Sequence, residues 1–385
     1  MKTNYSAYVG ADIFDGDKMF DDHALLVRGD SIVGIVARTE IPAEANQITV
    51  NGGLLSPGFV DLQVNGGGGV MFNDAPTVDT LRIMAKAHAE LGATSILPTL
   101  ITDTPEQVHA AIAAVRAAIE QKVDGIIGLH LEGPHLSLAR KGAHDPSLIR
   151  LMTPEDEDIL LAAAKTLPVL KVTIAPESVT PAQMRRLSDA GILLSIGHSD
   201  AGYDECRTAA QNGVRCVTHL FNAMSQLGNR EPGLVGAALD CPTLSAGLIA
   251  DLIHVHPASI ATAIRAKSGP GNLFLVSDAM ATAGADIDHF FLNGRRIDRR
   301  NQRLTLQDGT LAGADLDLAT AVANIAQFVE MSRALAMATS IPAALIGCSG
   351  VVGSLTRGSR AHFIKLKMGK VESVWQSGQR ITLAS

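Results

Sequence analysis

Thr94-Ser95-Ile96-Leu97-Pro98-Thr99-Leu100-Ile101 is a short apolar run, and Ile126-Ile127-Gly128-Leu129-His130-Leu131-Glu132 is another. Between them Pro105–Gln121 carries Ala, Val and Ile on one face at helical spacing, so residues 94–132 read as strand, helix, strand. That is the repeating unit of a parallel sheet.

The rhythm continues on both sides. Strands are expected to begin near Gly58, Thr94, Ile126, Leu170, Ile192, Val214, Leu244 and Leu273, with helical stretches such as Thr77–Leu91 between them. Eight such units fit an α/β fold of the (β/α)8 TIM-barrel type, whose reacting groups gather at the C-terminal ends of the strands. A doubly wound sheet is the competing reading. The barrel is favoured because no G-x-G-x-x-G follows the first strand.

Both ends of the chain are different in style. Ala24–Arg28, Gly29-Asp30 and Ser31–Val36 read as a hairpin, and Ala361–Lys367, Met368-Gly369 and Val371–Trp375 read as a second one. One small β domain built from both termini, 1–56 with 350–385, is therefore expected around a barrel domain at 57–349.

Composition narrows the function. Of 385 residues 46% are hydrophobic and 18% charged, with a net charge of −7. That supplies ample core and, without any long Lys/Arg cluster, argues against nucleic acid as a partner. No run of about 18 apolar residues exists to cross a membrane. The N-terminal stretch meets Asp12, Asp15 and Asp17 before any apolar core, unlike a signal peptide, so a cytoplasmic protein is expected. Cys206, Cys216, Cys241 and Cys348 are scattered, without a C-x-x-C pair, and read as buried thiols.

The polar residues that end the apolar runs are more specific. The third strand ends His130-Leu131-Glu132, the fifth runs into Gly197-His198, and the sixth into Thr218-His219. The seventh runs through Asp251 to His254, and the eighth ends Ser277-Asp278. In a barrel these side chains converge. Two imidazoles and a carboxylate, His198, His219 and Glu132, make a catalytic metal site with a position left for water. Asp278 beside them can take a proton from that water and hand it to a leaving group. Hydrolysis of an amide or ester is the chemistry this set suits.

Longer motifs surround these residues: PGFVDLQVNG at 57–66, HLEGPH at 130–135, KGAH at 141–144, GHSDA at 197–201, THLFNAM at 218–224 and VSDAM at 276–280. In kind and order they resemble the N-acetylglucosamine-6-phosphate deacetylases of the amidohydrolase superfamily, and the flanking β segments extend the likeness to nearly the whole chain. The resemblance implies a (β/α)8 barrel with a β-sandwich formed from both termini. It also implies metal ligands at Glu132, His198 and His219, an acid/base at Asp278, and one divalent ion per subunit. Zinc suits His, His and Glu; Fe, Mn or Co can occupy such a set.

Carried over residue by residue, Asn222 and Ala223 lie in the stretch that holds the sugar phosphate, and Arg230 matches a phosphate-contacting arginine. His144 and His254 match substrate-contacting histidines, and Leu311, Ala312 and Gly313 a loop closing over the sugar. The implied reaction converts N-acetyl-D-glucosamine 6-phosphate to D-glucosamine 6-phosphate and acetate, in amino-sugar catabolism or recycling. The implied assembly is a homodimer.

Gln63 and Asn65 stand where many amidohydrolases carry H-x-H and a second metal. Carboxamides are poorer ligands for transition metals than imidazole, so a single metal is expected. His362 replaces a common Asp in a remote segment. Gly66–Gly69 can be a phosphate loop or a glycine-rich turn, His135 can line a pocket, and Arg140 and Lys141 read as solvated loop cations. Three alternatives stay open: N-acetylgalactosamine 6-phosphate as substrate, another amidohydrolase acting on a small amide, and a non-catalytic protein on the same fold.

Overall fold

The computed structural model describes residues 5–383. Eight strands form one sheet whose neighbours follow chain order: β1 (Phe59–Val64), β2 (Ala93–Ile101), β3 (Leu129–Glu132), β4 (Leu170–Ile174), β5 (Leu193–Ile196), β6 (Cys216–Val217), β7 (Ser245–Leu248) and β8 (Leu273–Leu275). The sheet closes on itself. Val64 forms a parallel bridge with Ala279, and the Asp278 N–H donates to the Gln63 carbonyl over 3.1 Å. A doubly wound sheet reverses its strand order and keeps two edges, so sequential order with closure decides for the barrel. The expected strand starts fall within three residues of those observed.

Helices α1 (Val78–Glu90), α2 (Pro105–Glu120), α3 (Pro154–Ala164), α4 (Pro181–Asp189), α5 (Tyr203–Gln211), α6 (Gly233–Asp240) and α7 (Pro257–Ala266) alternate with the strands, and α8 (Leu318–Ile325) follows β8. Three of them start at a Thr-Pro pair. Thr104, Thr153 and Thr180 are N-caps whose hydroxyls accept from Gln107, Asp156 and Gln183 N–H groups, and proline sits in the first turn. Each cap contributes about 1 kcal/mol, and proline costs nothing where the N–H has no intrahelical acceptor.

Between β8 and α8 the chain adds an antiparallel sheet of four strands, His289–Leu292, Arg295–Arg300, Arg303–Thr305 and Leu311–Ala314. From the sequence only the loop at its end, Leu311–Gly313, is expected. The missed signal is Asn293-Gly294, both at positive φ (49° and 74°), the two-residue turn that right-twisted hairpins favour.

By packing, the chain divides into two compact units. One comprises Met1–Asp61, His88–Ser95 and Asp317–Ser385; the other comprises Leu62–Ala87 and Ile96–Leu316 and contains every candidate site residue. In the first unit a four-stranded and a six-stranded sheet share a core in which Trp375 stacks on Phe363 at 4.7 Å and Tyr8 meets Phe363 edge-on at 4.9 Å. Both expected hairpins are present, His23–Arg28 with Ser31–Ala37 and Phe363–Lys367 with Lys370–Gln376. His362 is buried here and accepts the Ser377 N–H over 3.1 Å.

Candidate active site

Glu132 is the last residue of β3, while His198, His219 and Asp278 lie two or three residues beyond β5, β6 and β8. The backbone is left-handed at all three of the latter, with φ of 48°, 32° and 51°. Non-glycine residues held there cost about 1–3 kcal/mol each, and such strain concentrates at functional sites. The glycine before His198 is a close-approach position. A Cβ on Gly197 would stand 2.8 Å from Thr218 Cβ and 2.9 Å from Thr173 Cγ2, so a side chain would push β5 away from its neighbours.

Oε1 of Glu132 lies 3.2 Å from His198 Nε2 and 3.1 Å from His219 Nε2, and the two ring nitrogens are 3.0 Å apart. A neutral imidazole donates from one nitrogen only, and His198 already has Nδ1 at 2.9 Å from the Arg140 carbonyl. Its Nε2 is then a lone pair, the tautomer a metal ligand needs. Ligands about 2.0–2.1 Å from a tetrahedral ion stand roughly 3.3 Å from one another, close to the spacing here. His219 Nδ1 is buried without a hydrogen-bond partner among the described residues. Donor types, spacing and tautomer all fit a single divalent cation.

Burial alone would raise the Glu132 carboxyl, but the His198 and His219 rings beside it outweigh that and hold it well below the usual range. Asp278 is pushed the other way, first by burial and then by the Glu132 charge. The Gln63 side-chain amide lies between the two carboxylates, donating to Glu132 Oε2 over 3.2 Å and to Asp278 Oδ1 over 3.1 Å.

A cavity of about 380 Å³ opens above this cluster. That is within the range for a small polar ligand. Its wall includes Asn65, Glu132, His144, His198, His219, Asn222, Ala223, His254, Asp278, Leu311 and Gly313. Two expected residues are not in the wall. Ala312 alternates away from Leu311 and Gly313 into an apolar cluster with Met280, Phe290 and Leu292. Arg230 is exposed, in the loop before α6.

Other residues complete the picture. His144 Nδ1 lies 2.7 Å from the Thr102 hydroxyl and accepts the Thr102 N–H at 3.3 Å. His254 Nδ1 is 2.6 Å from Asp251 Oδ2. Arg140, read from sequence as solvated, lines the cavity and pairs with Asp200 over 2.8 Å. Its signal was position: eight residues beyond Glu132, in the long loop after β3. His135 is buried away from the cavity, against the Arg150 carbonyl at 3.3 Å. Gly66–Gly67 pairs with Val70–Met71 as a tight hairpin outside the wall, which favours the turn reading of the glycines. Lys171 is the second residue of β4, fully buried and away from the strand end.

Residues 54–381 match the model of the amidohydrolase family, and residues 6–55 that of the NagA composite domain. The chain belongs to the amidohydrolase family. It is 41% identical over 378 residues to the N-acetylgalactosamine-6-phosphate deacetylase of Shewanella sp. (strain ANA-3), covering 95% of each chain. It is 35% identical over 361 residues to the N-acetylglucosamine-6-phosphate deacetylase of Haemophilus influenzae, covering 92% of this chain and 93% of the relative. The crystal structure of N-acetylglucosamine-6-phosphate deacetylase from Pasteurella multocida superimposes with a TM-score of 0.93 at 35% identity, covering 98% of this chain and 99% of that one. Within the amidohydrolases the chain therefore sits in the branch of the hexosamine-phosphate deacetylases. Amidohydrolases of this kind depend on a metal, and Glu132, His198 and His219 form a buried cluster able to hold one.

Proposed function

We propose that this protein is a metal-dependent deacetylase that hydrolyses N-acetyl-D-glucosamine 6-phosphate to D-glucosamine 6-phosphate and acetate in amino-sugar catabolism or recycling. The observation that carries the reading is the buried Glu132, His198 and His219 cluster, with the Asp278 carboxyl beside it, in one wall of a cavity sized for a phosphosugar.

A divalent cation held by Glu132, His198 and His219 supplies Lewis acidity, which lowers the pKa of water and polarises a carbonyl. The chain supplies the rest. Asp278 accepts the proton of the attacking water as the C–O bond forms at the acetamide carbon. His254 faces the carbonyl oxygen as charge develops on it. Asp278 then gives its proton to the amine nitrogen as the C–N bond breaks, so one water is consumed and acetate and a free amine leave. His144, Leu311 and Gly313 hold the sugar ring, and Ala312 supports that loop from behind. Asn222 and Ala223 border the phosphate, with Arg140 in the cavity wall and Arg230 approaching from the exposed loop.

Zinc, one ion per subunit, is the metal proposed, with Fe, Mn and Co as competitors for the same donors. A homodimer in the cytoplasm is proposed on the family likeness. No helix among the described residues is long and apolar enough to cross a membrane. A second reading, N-acetylgalactosamine 6-phosphate as substrate, is favoured by one observation, the 41% identity to the Shewanella enzyme named for it. Comparing kcat/KM on the two phosphosugars tests this. A ratio above about ten for the gluco form supports the first reading, and an inverted ratio replaces it with the second.

A further inference from the structure

The two histidines in the cavity wall that lie outside the Glu132, His198 and His219 cluster are held in opposite senses. The Thr102 N–H is an obligatory donor and meets Nδ1 of His144 at 3.3 Å, so that nitrogen accepts and the ring proton sits on Nε2. Neutral His144 is thus a fixed donor toward the cavity, and burial holds its pKa well below the usual histidine value. His254 is the reverse. Its Nδ1 lies 2.6 Å from Asp251 Oδ2, a carboxylate that can only accept, so the proton sits on Nδ1.

Asp251 is itself locked. Its Oδ1 accepts the Ile253 N–H at 2.9 Å and the His254 N–H at 2.8 Å, and Leu252 between them is left-handed, with φ of 64°. The turn after β7 is wound around the Asp251 carboxylate. Both side chains are nearly buried, 6% and 7% exposed, where a charge needs a partner. Hydrogen bonds from His254 overcome the upward pull of burial on Asp251 and keep it ionised.

We propose that Asp251 is the positioning residue of His254: it fixes a ring proton on Nδ1, turns Nε2 to the cavity and sets a carboxylate behind the ring, so that a second proton, taken from solvent at Nε2, can be held there as the donor to the acetamide oxygen. A carboxylate behind a histidine does this wherever an imidazole must carry charge transiently in a buried site. The kinetic part of the test rests on the deacetylase reading; the spectroscopic part does not.

The experiment uses the full chain, labelled with 15N-histidine, as wild type, Asp251→Asn, Asp251→Ala and His254→Gln, the last to assign the ring. In metal-free protein, long-range 1H–15N correlation reads the tautomer. Wild-type His254 is expected to be protonated on Nδ1. Asp251→Asn keeps an oxygen on the two backbone N–H groups and presents NH2 to the ring, so the proton should move to Nε2. With metal restored, kcat on N-acetylglucosamine 6-phosphate should fall on the order of 10²- to 10⁴-fold in Asp251→Asn. KM should stay within about three-fold, because the substrate's other contacts remain. Asp251→Ala should give mixed tautomers; if it fails to fold, the isosteric Asn variant and the wild-type spectrum decide. A wild-type His254 that carries its proton on Nε2 and none on Nδ1, or an unchanged tautomer and kcat in Asp251→Asn, overturns the proposal. A wild type that releases no acetate sinks the substrate assignment and leaves the tautomer result to judge Asp251.

Discussion

Asn65 donates its side-chain amide to Oδ1 of Asp278 over 2.7 Å, and Gln63 reaches the same oxygen over 3.1 Å. One oxygen of the carboxylate is pinned by two neutral donors, which leaves Oδ2 to exchange a proton. The two carboxamides therefore act as donors that orient Asp278, the proposed acid/base, and Gln63 stands between it and Glu132. This gives Gln63 and Asn65 a place in the single-metal expectation that the sequence alone did not supply.

Asp278→Asn should abolish most activity and leave the fold intact. General acid/base catalysis is worth about 10²–10⁴ in rate, and kcat should fall at least that far. Burial and the Glu132 charge disfavour an ionised carboxyl at this position, and asparagine tolerates the left-handed backbone. The variant should be as stable as wild type or more stable by about 1 kcal/mol, as expected where a functional site carries strain. Thermal melts alongside acetate release check both halves; a destabilised variant would contradict the account of the site.

His219→Asn should lose the metal. Wild type is expected to bind one equivalent by elemental analysis, and its melting temperature should fall on chelation, since an ion bound only by the folded state stabilises it by mass action. The variant should bind well under one equivalent and show no metal-induced rise in melting temperature. Two equivalents in wild type would mean that Gln63 and Asn65 do hold a second ion.

Phosphate recognition separates Arg140 from Arg230. Arg140 is in the cavity wall, paired with Asp200, and is proposed to meet the phosphate there, so Arg140→Ala should raise KM for the phosphosugar roughly 10- to 100-fold. Its backbone carbonyl, which holds His198, is unaffected. Arg230→Ala should have the smaller effect, because Arg230 is exposed and outside the wall. If only Arg230→Ala raises KM, Arg230 and not Arg140 holds the phosphate.

His135 should couple stability to pH. Burial, opposed in part by Asp156, lowers its pKa to about 4. The unfolded chain takes up that proton near pH 6.5, so between about pH 6.5 and 4 the unfolded state binds more protons and stability falls as pH falls. The full span is worth about 3 kcal/mol. Urea midpoints of metal-free wild type should drop across that window, and His135→Gln should flatten the slope by that amount. Identical slopes would show that His135 is charged in the fold.

How much was legible in the sequence follows from which interactions are local. The barrel strands are buried along their length and their apolar runs close on polar residues, so Glu132, His198, His219 and Asp278 stand out in the sequence as candidates at run endings, although Asp61, His130 and Lys171 are polar within the strands themselves. The Thr-Pro pairs at 104–105, 153–154 and 180–181 are a local signal that coincides with three helix starts, of which only the one at Pro105 is expected from the sequence. The partners that tune the site could not be read this way. Asp251 and Thr102 act through distances set by turns, Ala312 differs from its neighbours only by strand alternation, and Arg140 is placed by a loop with no periodic signal. The inserted sheet at 289–314 was hidden because its strands are short and its longest, Arg295–Arg300, is mostly charged, although Asn293-Gly294 marks its first turn.

The most direct test is acetate release by metal-replete protein from N-acetylglucosamine 6-phosphate, run beside unphosphorylated N-acetylglucosamine and chelated protein. The account predicts release with an equal yield of free amine, lost on chelation and lower by orders of magnitude without the phosphate. Equal rates with and without the phosphate, or release that survives complete metal removal, would contradict it.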